Sequence, residues 1–240
     1  MTATSTASKT KATDGWIVFN DTLTSGNITK LTGELTVPPA PSEPEQLPGQ
    51  LIYLFIGIEP GPDAPYGAII QPVLQWTNAD GWQMINYYVK NGKQSQASAT
   101  YDVSEGDTIG MSIIGTTSTL PDGKTQYSYV CSFSVNGVAE TDYDITINTE
   151  VPFIGGFVTL ETYSITGCAG YPNTEKTTFS KINLEVDGVV PTRPKHDGCV
   201  WNLTPSKPSV SNSMCSNIEM GVVAYKAIDA EFDIYYQATS

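Results

Sequence analysis

Hydrophobic and polar positions alternate with a period of two along most of this chain, and no long stretch repeats at the spacing of an amphipathic helix. Tyr127, Tyr129, Cys131, Phe133 and Val135 alternate with Ser128, Val130, Ser132 and Ser134. That run stops at Asn136-Gly137, a dipeptide suited to tight hairpins because both residues tolerate positive φ. Ile182, Leu184 and Val186 alternate with Lys181, Asn183 and Glu185 ahead of Asp187-Gly188. Similar patterning predicts strands over Trp16–Phe19, Leu31–Val37, Leu51–Ile58, Ala68–Trp76, Trp82–Lys90, Ser95–Tyr101, Thr108–Ile114, Phe153–Ile165 and Glu231–Tyr236. Asn217–Tyr225 reads equally as a strand or a short helix. Many short strands at regular intervals define an all-β, antiparallel β-sandwich or jelly roll.

The punctuation between strands sets the expected organisation. Residues 1–15 are rich in Thr, Ser and Ala and lack an apolar stretch, so a disordered lead is expected there rather than a signal peptide. Residues 16–240 are expected to form one sandwich domain, since all-β chains of this length usually share one core. Within it, 38–49 and 59–67 read as loops, and 187–216 as a long irregular connection. Pro60, Pro62 and Pro65 stiffen the second of these.

Composition narrows the function classes. Hydrophobic residues make up 40% of the chain, enough for a packed interior, whereas charged residues are only 15%, so Ser, Thr, Asn and Gln must cover much of the surface. A net charge of −13 repels nucleic-acid phosphates and anionic lipid surfaces. No apolar run approaches the roughly 20 residues of a membrane span. The four cysteines lack the close spacing of a zinc site. Cys199 and Cys215 would close the shortest loop and are the disulfide candidates. Sequons at Asn20, Asn27 and Asn202, with the even cysteine count, lean slightly towards secretion, against which stands the lack of a signal sequence. No cofactor or metal is expected: Asp142 and Asp144 alone are too few oxygen ligands for calcium.

The only histidine, His196, sits in a polar loop without a nucleophile motif, which sets histidine catalysis aside. Carboxylates, amides and aromatics remain. In the strand 68–76, Ile69, Gln71, Val73 and Gln75 share one face, opposite Ala68, Ile70, Pro72, Leu74 and Trp76. In 157–165, Phe157, Thr159, Glu161, Tyr163 and Ile165 share a face. A carboxylate in the middle of such a strand needs a partner or a wet groove, because burying it alone is costly.

The succession Trp16, Leu31-Thr-Gly-Glu-Leu-Thr-Val-Pro38, Tyr53-Leu-Phe-Ile-Gly-Ile58, Ile69-Ile-Gln71, the aromatic strand Trp82–Tyr88, Val103-Ser-Glu-Gly-Asp-Thr-Ile109 and Leu160-Glu-Thr-Tyr163 resembles the glutamic peptidases, or eqolisins. The resemblance spans roughly residues 16 to 186. It implies a concanavalin A-like sandwich with a catalytic glutamine and glutamate, which fall on Gln71 and Glu161. In that chemistry the carboxylate takes a proton from water and the amide stabilises the tetrahedral oxyanion. Pro72 and Val73 follow Gln71 where the family usually has a glycine, and a proline inside a strand predicts an edge or a bulge.

The same residue types also suit sugar recognition, and a lectin-like groove binding carbohydrate or another polymer is the leading expectation. Trp76, Trp82, Tyr87 or Tyr88, and Tyr163 would be its aromatic platforms, with Gln71, Gln75, Asn86 and Glu161 bonding to hydroxyls. Acid endopeptidase activity on a peptide substrate is the alternative. A polysaccharide lyase or glycoside hydrolase ranks third, because Glu161 has no evident carboxylate partner at the about 5–5.5 Å that retaining hydrolysis uses.

Overall fold

The structure, a computed structural model, describes residues 14–42, 49–191, 201–202, 218–224 and 226–236. Two antiparallel sheets face each other. The first contains β1 (Asp14–Leu23), β3 (Leu51–Pro60), β4 (Ala68–Thr77), β5 (Gly81–Lys90), β6 (Lys93–Ala97), β7 (Tyr101–Asp102) and β12 (Phe153–Tyr163), in the order β1-β12-β3-β4-β5-β6 with β7 also on β5. The second contains β2 (Ile28–Thr36), β8 (Thr108–Thr119), β9 (Thr125–Val135), β10 (Val138–Ala139), β11 (Ile145–Thr149), β13 (Lys176–Val186), β14 (Glu219–Ala224) and β15 (Ala230–Tyr235). Its order is β10-β9-β8-β2-β13-β15-β14, with β11 also on β9. The all-β expectation holds, and the ambiguous segment before Tyr225 is a strand.

The expected hairpins form where the turn chemistry allows. Asn136 and Gly137 both adopt positive φ between β9 and β10. Alternation then sends one side of each strand inward. Ile52, Leu54, Ile56 and Ile58 of β3, Ile70, Leu74 and Trp76 of β4, and Val158 and Leu160 of β12 pack against Leu31, Met111, Ile113, Tyr129, Cys131 and Phe179 of the second sheet. β14 and β15 extend that sheet and bury Met220, Phe232 and Ile234. Trp201, from the segment expected to be irregular, is buried edge-on against Phe232 at 5.3 Å between ring centroids.

Several expectations need correction. β4 lies between β3 and β5, so Pro72 is neither on an edge nor at a bulge. The β3–β4 register is unshifted, with Phe55 opposite Val73 and Ile58 opposite Ile70, but no paired residues are found between those two points. Proline has no N–H to give there, so the ladder skips and resumes without changing register. Two of the sequons are buried: Asn20 and Asn27 are 0% and 4% exposed, unsuited to carrying a glycan in the folded chain. Cys168 is disulfide-bonded, which the shortest-loop expectation did not include, and Cys131 is a buried free thiol. Cys199, Cys215, His196 and residues 1–13 of the expected lead lie outside the described residues.

Candidate functional site

The side of the first sheet that faces away from the core carries its own small apolar cluster: Phe55, Val73 and Ile85, flanked by Trp16, Tyr53, Ile69 and Tyr87. Beside it opens a cleft of about 470 Å³ lined by Trp16, Tyr53, Ile69, Gln71, Tyr87 and Val89 together with Glu161 and Tyr163. Gln71 and Glu161 therefore project to the same side of the sheet and meet the same cavity, as strand alternation predicts for both.

The register fixes their spacing. Trp16, Glu161, Tyr53, Gln75 and Gln83 form one row across β1, β12, β3, β4 and β5. The next row, Thr159, Phe55, Val73 and Ile85, is sealed, with exposures from 0% to 6%. Gln71 sits one row further on, opposite Tyr87 on β5 and level with Gly57 on β3. Glu161 and Gln71 are thus two strands and four residues apart, or about 16 Å between Cα atoms. Even fully extended towards each other, the two head groups stay roughly 6 Å apart, more than one shared water can span.

The polar groups around the cleft are mostly linked to one another. The Tyr163 hydroxyl donates to Oε1 of Glu161. The Tyr53 and Tyr87 hydroxyls are paired. Tyr87 donates in turn to Gln75 Oε1 at 3.2 Å, Gln75 Nε2 to Gln83 Oε1 at 3.2 Å, and Gln83 Nε2 to Asp102 Oδ1 at 2.7 Å. Burial, then the neighbouring Tyr87 and the Glu161 carboxylate, push the Tyr53 phenol well above its ordinary value, so it stays protonated. Gln71 stands outside this network. It is 6% exposed, and its side-chain amide makes no hydrogen bond among the described residues. A nearly buried amide that faces a cavity with both its donor and acceptor unused is poised for a ligand.

The other expected ligand residues divide sharply. Tyr163 lines the cleft, and Gln75 lies at its side within the tyrosine–glutamine chain. Trp76, Trp82, Asn86 and Tyr88 do not reach it. Trp76, Trp82 and Tyr88 pack in the core between the sheets. Asn86 is fully buried there, donating to the Tyr143 carbonyl at 2.9 Å and accepting from the Cys131 thiol at 3.3 Å. Their strand phase is the reason: β4 and β5 pair Trp76 with Trp82 and Pro72 with Asn86, all on the inward parity. Trp16, Tyr53 and Ile69 are lining residues that the expected site lacked, and Tyr87, the alternative to Tyr88, is the one of that pair that lines the cleft. Odd-numbered alternation from Gln71 and Glu161 was the signal that points to Ile69 and Tyr163; nothing local points to Trp16 or Tyr53.

The class of protein this defines is an all-β, two-sheet antiparallel sandwich. Among solved structures it takes the fold of the glutamic peptidases. Scytalido-glutamic peptidase with a transition state analog inhibitor superposes with a TM-score of 0.55 at 12% identity, covering 94% of this chain and 100% of the peptidase. SCP-B, a member of the eqolisin family in a complex with the tripeptide Ala-Ile-His, gives a TM-score of 0.53 at 13% identity over the same shares of the two chains. At these identities the likeness is one of fold. The sequence matches no family model and no curated protein.

Proposed function

We propose that this chain is an acid endopeptidase of the glutamic type, with its substrate lying extended across the outer face of the first sheet. Glu161 is the general base that takes a proton from water, and Gln71 donates an amide hydrogen bond to the oxyanion from the far side of the scissile carbonyl. One observation carries this reading: a carboxylate and an unpartnered, nearly buried amide line a single cleft. The fold shared with peptidases that bind peptide-based inhibitors and a tripeptide supports a peptide as the occupant. Sugar binding is less well served, because Trp76, Trp82 and Tyr88 pack in the core and only Tyr87 and Tyr163 of its expected aromatic platforms line the cleft.

Incubation with an unfolded protein substrate at about pH 4, near the usual carboxylate pKa, tests the proposal. Cleavage is expected, with Glu161→Gln slowing turnover by about 10²–10⁴ as for loss of a general base. Gln71→Ala is expected to cost about 10²–10³ in kcat. A wild-type protein that leaves the substrate intact at every pH would refute hydrolysis. A second reading, peptide binding without cleavage, is favoured by the Tyr53–Tyr87 hydroxyl pair in the cleft lining between the two groups. Retention of a labelled peptide by the wild type, with no new termini, would select it.

A further inference from the structure

The groove does not end at Gln71. Past Ile69 it continues into a second cavity of about 510 Å³, which shares Trp16, Ile69, Val89 and Gly92 with the cleft. Gly57 makes this possible. A Cβ there would stand 3.2 Å from the Ile69 Cδ1, so the isoleucine leans over the glycine and forms a low ridge between the two compartments. The second cavity is walled by Trp16, Pro60, Pro62, Tyr66 and Ile69, and its only carboxylate is Glu59.

Glu59 has the odd parity of Tyr53 and Phe55 and is only partly buried. It makes no hydrogen bond or ion pair among the described residues. Of the charged or titratable groups nearby, the β3–β4 connection supplies the exposed Asp63 and Tyr66, whose phenol is raised by burial and then by Glu150. β5 supplies Lys90, which is held over the Tyr66 ring at 3.9 Å from its centroid. Level with Glu59, β12 presents Gly155 and β1 Leu23, both uncharged; Asp21 of β1, one row away, accepts from Asn202 at 2.6 Å. A carboxylate set among aromatic and proline surfaces, with no cation of its own, lacks the partner that would offset its desolvation.

We infer that this cavity is a side-chain subsite that selects a lysine or arginine of the bound peptide, with Glu59 as the counter-charge. The inference rests on the peptide reading of the cleft above. The aliphatic stem of such a residue would lie along Ile69 and the prolines, and its cationic head would meet Glu59 beside the Trp16 and Tyr66 rings. Glu59 is one row, about 7 Å, from Gln71 along the strand direction, the distance between alternate residues of an extended peptide. The selected residue therefore lies within two positions of the bond held at Gln71. Burial pushes the Glu59 carboxyl up to about 7, so the free subsite is largely protonated in acid and ionised above neutrality. A cation pairs only with the ionised form, so discrimination must fade as the pH falls through that value. The subsite sorts bound peptides at and above neutrality and does not discriminate at the acid pH proposed for cleavage.

The test uses fluorescent, unstructured decapeptides of Ala, Ser and Phe that differ at one central position, lysine or norleucine, titrated into the full chain carrying Glu161→Gln to suppress turnover. The lysine peptide is expected to bind at least about tenfold more tightly at about pH 8, where Glu59 is ionised, and less than about threefold at about pH 5. Glu59→Gln should bring the two affinities together at both pH values, and the pH dependence in the presence of Glu59 gives an independent reading if that variant fails to fold. Equal affinities at the higher pH, or a lysine preference that survives Glu59→Gln, would overturn the subsite while leaving the cleft's peptide reading intact. No binding of either peptide would overturn both. Absence of cleavage by the wild type with the lysine preference present would remove the hydrolytic reading alone and support the subsite.

Discussion

Three side chains on the outer face of the first sheet show how environment assigns roles to similar groups. Glu161 shares its row with Tyr53 and Trp16 and accepts from Tyr163. Glu59 meets aromatic and proline surfaces and no partner among the described residues. Gln71 keeps its amide unused next to a cavity. The raised value at Glu59 has a consequence for stability whose sign is fixed. Its carboxyl is harder to ionise in the folded chain than in the unfolded one, so the fold is penalised above about pH 7, and the penalty is relieved as the pH falls from there to the ordinary 4.5. Glu59→Gln is expected to raise stability by about 1–2 kcal/mol at about pH 8, after discounting for solvent around a partly buried group, and to leave it unchanged near pH 4. Urea unfolding of the two proteins at both pH values measures this. A stabilisation of equal size at both would place its cause in packing.

At the scale of the strand, β3 and β4 build the floor of the groove, and Gly57 is the position on which its shape turns. Alanine there would meet Ile69 at 3.2 Å on one side and the Ile70 carbonyl oxygen at 3.4 Å on the other. Ile69 must give by a few tenths of an ångström, whereas the backbone oxygen already lies at ordinary contact distance. Gly57→Ala is therefore expected to cost about 1 kcal/mol and to push the ridge towards Glu59, so that discrimination between lysine and norleucine peptides falls further than overall stability. Paired thermal melts and peptide titrations separate the two effects. The same strands show what a sequence reveals. Alternation within a strand is local, and it correctly put Gln71 with Gln75, and Glu161 with Tyr163, on common faces. Register between strands is not local: no residue announces that Glu161 lies level with Tyr53 while Gln71 lies level with Gly57. Inward or outward phase is also set from outside the strand. Asn86 reads as an outward polar residue, yet Tyr143 and Cys131 of distant segments satisfy it inside the core. Pro72 misled for a related reason, because the ladder tolerates one missing donor in a central strand when the strands on both sides hold the register.

Over the whole molecule, the acidic balance and the scarcity of ion pairs go together. The described residues contain four salt bridges, and only one has a buried member, Asp233, bonded to the exposed Lys176 at 2.6 Å. Burial works against that carboxylate, but hydrogen bonds from Lys176, Thr178 and Tyr235 outweigh it and hold it below the usual range. Acid therefore removes few native attractions, and it relieves the self-repulsion of a chain with net charge −13. The two sheets are held instead by packed side chains, and the thiol of Cys131 lies at the middle of that packing, fully buried against the Asn86 amide with its ionisation pushed far upward by desolvation.

That sulfur makes the protein its own unfolding clock. A small alkylating reagent has no route to it while the sheets stay together, so its capture should wait for the sandwich to part. With other thiols blocked beforehand under native conditions, iodoacetamide labelling of Cys131 in water should be slow. It should accelerate with urea in step with loss of tryptophan fluorescence, and become independent of reagent concentration once capture outruns closing. Rapid labelling of the untouched protein would mean that the halves breathe apart far below the denaturation midpoint.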